Sequence, residues 1–427
     1  MTTAQPEIDI RDMVDPTAFQ RGYPHDVWTE LRHRSPVHWC ELDGFNPFWA
    51  VTRHADIKAV STNPQLFSST GFLDIQSREN RAREIPRDLE PPNVLNTDPP
   101  LHRELRNVVQ PYFRPRVLAQ LENHVREVTR DLLAGLSDKP EFDFVDDFVA
   151  WHPLRMITEL LGIPPEDEQI VLHMTNSAMA GPDDPEFAAD SPGDGSAGGE
   201  TNVMSGTRFE IFIPYLLELI AKRRAQPTDD LASVIVNGKV NGELLDDMVA
   251  MTYLLIVAVA GHDTTRNALA GGMLALLENP DQLALLRNTP SLAELATKEF
   301  VRWSTPVSHF VRTATADCEL GGRSIGKGDP VALYYPSGNR DETVFDDPFS
   351  FRVDRDPNPH LGFGIGEHFC MGSALAQMEI KVLLQELIPR LEHIELAGDA
   401  QRIRTTHVGG VKHLPIRWQL NDTVATS

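Results

Sequence analysis

Apolar residues follow two rhythms along this chain. Between Pro115 and Leu136, residues Val117, Leu118, Leu121, Val125, Val128 and Leu132 recur every three or four positions, which is one face of a helix. Asp146–Gly162 repeats that spacing. Tyr23–Arg34, opened by Pro24, and Asp56–Thr62 predict shorter helices. Leu244–Glu278 is the longest candidate; at about 1.5 Å per residue it would span roughly 50 Å. Its middle, LLIVAVAG (254–261), is apolar on all sides, the mark of a central buried helix. Ser291–Trp303 and Cys370–Leu391 also predict helix. Short alternating runs predict strands at Val37–Glu41 and Phe48–Thr52 around a Gly44 turn, near Phe310–Ala314 and Val331–Tyr335, and in the tail. The composite is mainly α with a small β portion, an α+β chain.

Two stretches break the rhythm. Ser69–Asn96 is irregular and highly charged. Gly181–Gly206 is rich in Gly, Asp, Ser and Pro and nearly free of large apolar groups, so it has little with which to pack a core. By composition it could be a linker between domains, but it sits between the helical segments Glu166–Met179 and Thr207–Arg224, which makes it equally a candidate lid loop.

Composition narrows the function classes. With 39 basic and 62 acidic residues among 427, the net charge is -23, a balance that nucleic-acid phosphates would repel. The N-terminus carries neither a basic nor an apolar targeting region. The best apolar run, Leu254–Ala260, is too short to cross a bilayer, so a cytoplasmic chain with no membrane anchor is expected. The three cysteines, Cys40, Cys318 and Cys370, are far apart and form no CxxC pair, which supports neither a disulfide framework nor a usual zinc site.

Candidate chemistry lies in three motifs. In HLGFGIGEHFCMG (360–372), glycines at 362, 364 and 366 allow sharp turns and close approach to a flat ligand. Cys370 then falls at the start of an apolar helix, where unpaired N–H groups and the helix dipole lower a thiol's pKa. AGHDTT (260–265) puts Asp263 beside an apolar run, a costly placement unless the carboxylate has a partner or a task. Thr264 can bond back to the carbonyl of Ala260, and Gly261 removes a side chain where a diatomic ligand would need room. Glu299 and Arg302 form an ExxR pair at i,i+3 on one helix face.

In the order AGxDTT, ExxR, FGxGxHxC, these motifs resemble the cytochrome P450 family. The cysteine loop matches at Phe363, Gly366, His368, Cys370 and Gly372, and DPPLHRELR (98–106) looks like the helix laid across the haem edge. The resemblance spans essentially the whole chain and implies one triangular α+β domain over 1–427. It implies haem b held by the Cys370 thiolate, with Ala260, Gly261, Phe363, Gly364 and Gly372 close to the macrocycle. It further implies propionates held by His102, Arg106, Arg312 and His368. Glu299 and Arg302 would lock the meander Asn339–Arg355. The implied reaction uses O2; Asp263 would relay protons from bulk water and Thr264 would steer them onto bound oxygen.

Only 57 residues follow Cys370, too few for a flavin or iron–sulfur domain, so NAD(P)H electrons are expected through a separate ferredoxin-type donor and its reductase. Such donors are acidic, so a chain this acidic needs a local basic face, for which Arg103, Arg114, Arg116 and Lys381 are candidates. Phe72, Leu73, Ile256, Val259, Val307, Phe310 and Val408 are expected to line an apolar substrate pocket. AGHDTT, PVSHFVR and the VGG turn together look most like bacterial hydroxylases of terpenes and small aromatic hydrocarbons. Steroid side-chain hydroxylases are the first alternative. A haem-binding sensor without catalysis is the reading from another class; a peroxide-using enzyme would usually lack the Asp-Thr pair.

Overall fold

Pro115–Leu136 is helical over the span its periodicity predicts, with Leu118, Val125, Val128 and Leu132 buried. It belongs to a computed structural model that describes residues 8–82, 90–179 and 212–421. The segment 181–206, expected as a lid, lies outside those residues.

The central helix runs Asp247–Glu278. It starts later than its apolar pattern suggests because Glu243–Leu244 pairs with Lys239–Val240 in a small hairpin. Asp246 then caps it, its carboxylate accepting the Val249 N–H at 2.9 Å. By length and composition this helix could cross a membrane, yet 78% of its most apolar 18-residue window is buried inside the protein. It is a core helix. Gly272 lets the helix Ala293–Ser304 approach, since a Cβ there would lie 1.9 Å from Phe300 Cδ2.

Two expected helices are shorter than their patterns. Asp146–Gly162 divides into a π turn, Val145–Val149, and a helix, His152–Leu160, because Pro153 has no N–H to continue a ladder and sits in the first turn instead. Cys370–Leu391 is helical only over Ser373–Leu387, after Gly372 at the N-cap; Leu391–Leu396 is a strand paired antiparallel with Pro415–Leu420.

The β portion is small. A five-stranded sheet has the order Val37–Cys40, Phe48–Val51, Pro330–Tyr334, His309–Ala314, Phe67–Ser68. Its one parallel pairing sets Val331 against Trp49. A second sheet joins Leu391–Leu396, Pro415–Leu420 and Glu141–Asp143. This is the expected α+β architecture, with the central helix between two hydrophobic clusters that bury its opposite ends.

Candidate active site

The central helix is buried on nearly every side except one stripe. Val257, Gly261 and Thr264 are half-buried and Ala260 is exposed, a spacing of three, four and seven residues that defines one helical face. These residues sit mid-helix in the core, so the stripe faces an internal void rather than bulk water.

Cys370 is likewise accessible, although protein surrounds it on its other sides. Its N–H bonds the carbonyl of Phe363 at 2.9 Å, and Gly364 and Gly366, at φ +65° and +82°, bend the loop that carries it. A Cβ at Gly366 would lie 2.4 Å from the Ser61 carbonyl, so only glycine lets the loop seat there. The sulfur lies just before the helix Ser373–Leu387. Burial pushes its thiol pKa up, opposed by N–H groups of Gly372 and Ser373 and by Arg106. The expected lowering by the helix end is thus present, but burial outweighs it until a cation replaces the proton.

Basic groups gather beside this loop. The rings of His102 and His368 stand 4.1 Å apart, and Nδ1 of buried His102 has no hydrogen-bond partner among the described residues. Arg312 is buried, donates only to the Val311 carbonyl at 2.8 Å, and has no carboxylate bonded to it among the described residues. Arg106 bonds the carbonyls of Glu367 and Phe369, at 3.2 and 2.5 Å, and so also pins the cysteine loop. Burial lowers the pKa of His368 to about 2, and Arg312, His102 and Arg106 all add to the lowering. Four basic groups with so few acids among them suit a dianionic ligand. A cysteine on a glycine-bent loop, this basic cluster beside it and an accessible stripe of small residues on the central helix are a set that fits a flat metal macrocycle bearing two carboxylates. Ser69, whose Oγ lies 3.0 Å from His368 Nε2, belongs to the cluster and carried no motif by which to find it.

Thr264 donates to the Ala260 carbonyl at 2.7 Å, as expected. Asp263 is fully buried, with Oδ1 3.1 Å from Arg266 Nη2 and 3.6 Å from His262 Nδ1. It therefore has a charged partner and no direct contact with bulk water. His262 bridges Thr175 Oγ1 at 2.7 Å and the Ala150 carbonyl at 2.8 Å. A Cβ at Gly261 would meet Ile157 Cδ1 at 2.9 Å, so the missing side chain makes room for the helix His152–Leu160 rather than for a diatomic ligand.

The expected pocket residues separate. Val307 bridges Val408, and the Phe310 ring lies 5.5 Å from that of His407. Phe72 lies under the Arg81 guanidinium, 3.6 Å from its ring centroid, and the Leu73 carbonyl accepts the Val311 N–H. Ile256 and Val259, however, are 6% and 3% exposed and pack into the core. Val257, which was not singled out, takes their place on the void-facing stripe.

The Glu299 and Arg302 pair is buried at the centre of the meander. Arg302 bonds the carbonyls of Asn339, Pro348 and Ser350, while Glu299 accepts from the Arg352 N–H and from Asn358. Of the four basic residues considered for docking, Arg103 is paired with Glu367 and Lys381 with Glu122. Arg114 and Arg116 are exposed and carry no ion pair among the described residues.

Comparison with known proteins agrees with this geometry. The family described as Cytochrome P450 matches residues 290–419. Cytochrome P450-terp of Pseudomonas sp is 36% identical, with 93% of each chain covered. Linalool 8-monooxygenase of Pseudomonas putida is 36% identical over 95% of this chain and 98% of its own. A steroid C26-monooxygenase of Mycolicibacterium smegmatis is 34% identical over 97% and 94%. Among solved structures, CYP108D1 from Novosphingobium aromaticivorans superposes with a TM-score of 0.85 at 33% identity, covering 98% of this chain and all of that one.

Proposed function

This chain belongs to the cytochrome P450 family, and on that premise we propose that it hydroxylates a terpene or small aromatic hydrocarbon, with Cys370 as the thiolate that would hold its haem. That it is a cytochrome P450 monooxygenase follows from the family. The observation that carries the residue assignment is the basic cluster beside the Cys370 loop, in which the rings of His102 and His368 stand 4.1 Å apart, Arg106 bonds the loop carbonyls and buried Arg312 meets no carboxylate among the described residues. We treat 1–427 as one domain, in keeping with relatives that match it nearly end to end.

Haem bound through a thiolate supplies O2 activation with two electrons and two protons, one oxygen entering a C–H bond and the other leaving as water. The chain supplies the rest. Cys370 provides the thiolate, and the N–H groups of Gly372 and Ser373 stabilise its charge. His102, Arg106, Arg312 and His368 would hold the propionates. Thr264, anchored through its hydrogen to Ala260, keeps lone pairs toward the void and can accept a hydrogen bond there. Asp263 holds a proton site one residue away; because Arg266 pairs with it, delivery requires that pair to open. Phe72, Leu73, Val257, Val307, Phe310 and Val408 would present an apolar wall to the substrate, and a ferredoxin-type protein would bring the electrons.

The terpene reading is supported by the names of two relatives at 36% identity. A steroid side chain is the second reading, favoured by the relative that acts at steroid C26. The test is a spectral titration of the haem-loaded protein with terpenes, aromatic hydrocarbons and steroids, followed by turnover in isotope-labelled O2. Terpenes or aromatics should shift the Soret band toward the high-spin position and acquire one labelled oxygen. A shift confined to steroids would replace the first reading with the second.

A further inference from the structure

The turn Thr405–Gly410 borders two separate places. Val408 pairs with Val307 on the proposed substrate side. Thr405, Gly409 and Gly410 line a different cavity of about 290 Å³, none of whose residues belongs to the site described above. That volume is near the lower end of small-molecule pockets, roughly 300–1,000 Å³.

Two of its polar side chains, Asn267 and Arg340, are buried with hydrogen-bonding capacity left over. Asn267, three residues beyond Thr264, is 1% exposed, yet neither its amide nitrogen nor its oxygen has a partner among the described residues. Leaving a buried amide unsatisfied is costly, so something beyond the described residues should meet it. Arg340 is 3% exposed, stacks 4.2 Å from the Trp303 ring centroid and donates to the carbonyls of Arg302 and Trp303, each at 3.1 Å. A guanidinium has five N–H donors, so these bonds leave some free, and no carboxylate pairs with it among the described residues. Arg402 lines the same cavity and likewise has no ion pair there. The lone acid on the wall, Glu278, is exposed at the mouth. Phe19, Leu274, Trp303 and Phe349 supply apolar wall, and Tyr23 and His25 set aromatic rings with polar atoms beside it.

Two guanidinium groups, a buried amide and an apolar wall describe one kind of ligand. We propose that this cavity is a second binding site, for a small molecule with a single carboxylate on a ring or short aliphatic body. The carboxylate meets Arg340 and Arg402, whose planar forks match it. Asn267 satisfies its amide on the same ligand, and the apolar body rests against Trp303 and Phe19. Gly410 makes the contact possible from the turn's side, since a Cβ there would lie 2.4 Å from Asn267 Oδ1.

Benzoate is a suitable probe. The haem-loaded protein, its iron capped with imidazole so that the haem pocket is closed to the probe, is titrated with benzoate in a calorimeter. One site should bind, and neutral benzamide should bind at least about tenfold more weakly, a difference of ~1.4 kcal/mol. Arg402→Gln and the isosteric Asn267→Asp should each weaken benzoate by a similar factor while haem content stays at the parental level. Binding of equal strength in Arg402→Gln, binding that appears only without imidazole, or no binding at all would each overturn the proposal; in the last case the cavity holds solvent.

Discussion

Glu299 accepts two hydrogen bonds from Arg302, at 2.6 and 2.7 Å, with both side chains fully buried. Nothing about an i,i+3 pair on a helix requires this depth; a surface pair of that kind contributes a few tenths of a kcal/mol. Here the remaining donors and acceptors are taken by the meander, so the pair joins a helix to the loop that leads to Cys370.

Breaking the pair should therefore unfold more than a helix face. Arg302→Leu removes one cation of this buried pair and leaves Glu299 with Arg355, 3.2 Å away, so the loss should approach but not exceed the roughly 3–5 kcal/mol of an unpaired buried charge. A lower urea midpoint with poor haem retention is the expected result. A parental midpoint would mean that the meander is held by other contacts.

The axial-ligand assignment predicts a spectrum. The ferrous–CO form should show the strongly red-shifted Soret band of thiolate ligation, and Cys370→Ala should lose it. Cys40 is buried in a separate cluster and Cys318 pairs into a distant hairpin, so neither can substitute. A red-shifted band surviving in Cys370→Ala would sink the assignment.

Asp263 and Thr264 should separate by phenotype. Thr264→Ala keeps substrate binding and reductant consumption but should release hydrogen peroxide in place of product, because the hydroxyl in the void is gone. Asp263→Asn should slow turnover at near-parental coupling. Parental rates with full coupling in both would make these residues structural. Arg266 pairs with Asp263, so Arg266→Leu should alter the pH profile of turnover as well as stability.

His262 supplies a pH dependence of stability. Burial lowers its pKa to about 4, from 6.5, with Asp263 opposing the shift. The unfolded chain thus binds the proton more readily, so stability is full above pH 6.5 and falls as pH drops toward 4. The shift corresponds to roughly 3 kcal/mol across that window. Urea midpoints of His262→Gln should decline less steeply over the same range. Parallel declines would assign the slope to other buried histidines.

Electron delivery should depend on Arg114 and Arg116, the two docking candidates whose charge is not already paired. Arg114→Glu with Arg116→Glu should slow reduction by a ferredoxin-type donor and flatten its salt dependence, since a net charge of -23 repels an acidic partner elsewhere. Haem content should not change. Stopped-flow reduction at low salt that matches the parent would place docking on another face.

The sequence by itself determined where the main helices lie, the α+β class and the three motifs, because helical period, glycine placement and motif spacing are local properties of the chain; the helix ends were decided by a hairpin, a proline and a strand. It also foretold the Thr264 to Ala260 bond, which is made within one helical turn. What only the tertiary structure decided was which neighbour each residue meets. Gly261 yields to Ile157, Val257 rather than Ile256 or Val259 faces the void, and Arg103 and Lys381 are neutralised by Glu367 and Glu122. The net direction of the Cys370 pKa belongs here too, since desolvation depends on everything around the sulfur and the helix end supplies only one opposing part. The cavity at Asn267 left no trace in any motif. It is formed by residues from Phe19 to Gly410 that share no period or spacing, and only folding brings them to one wall.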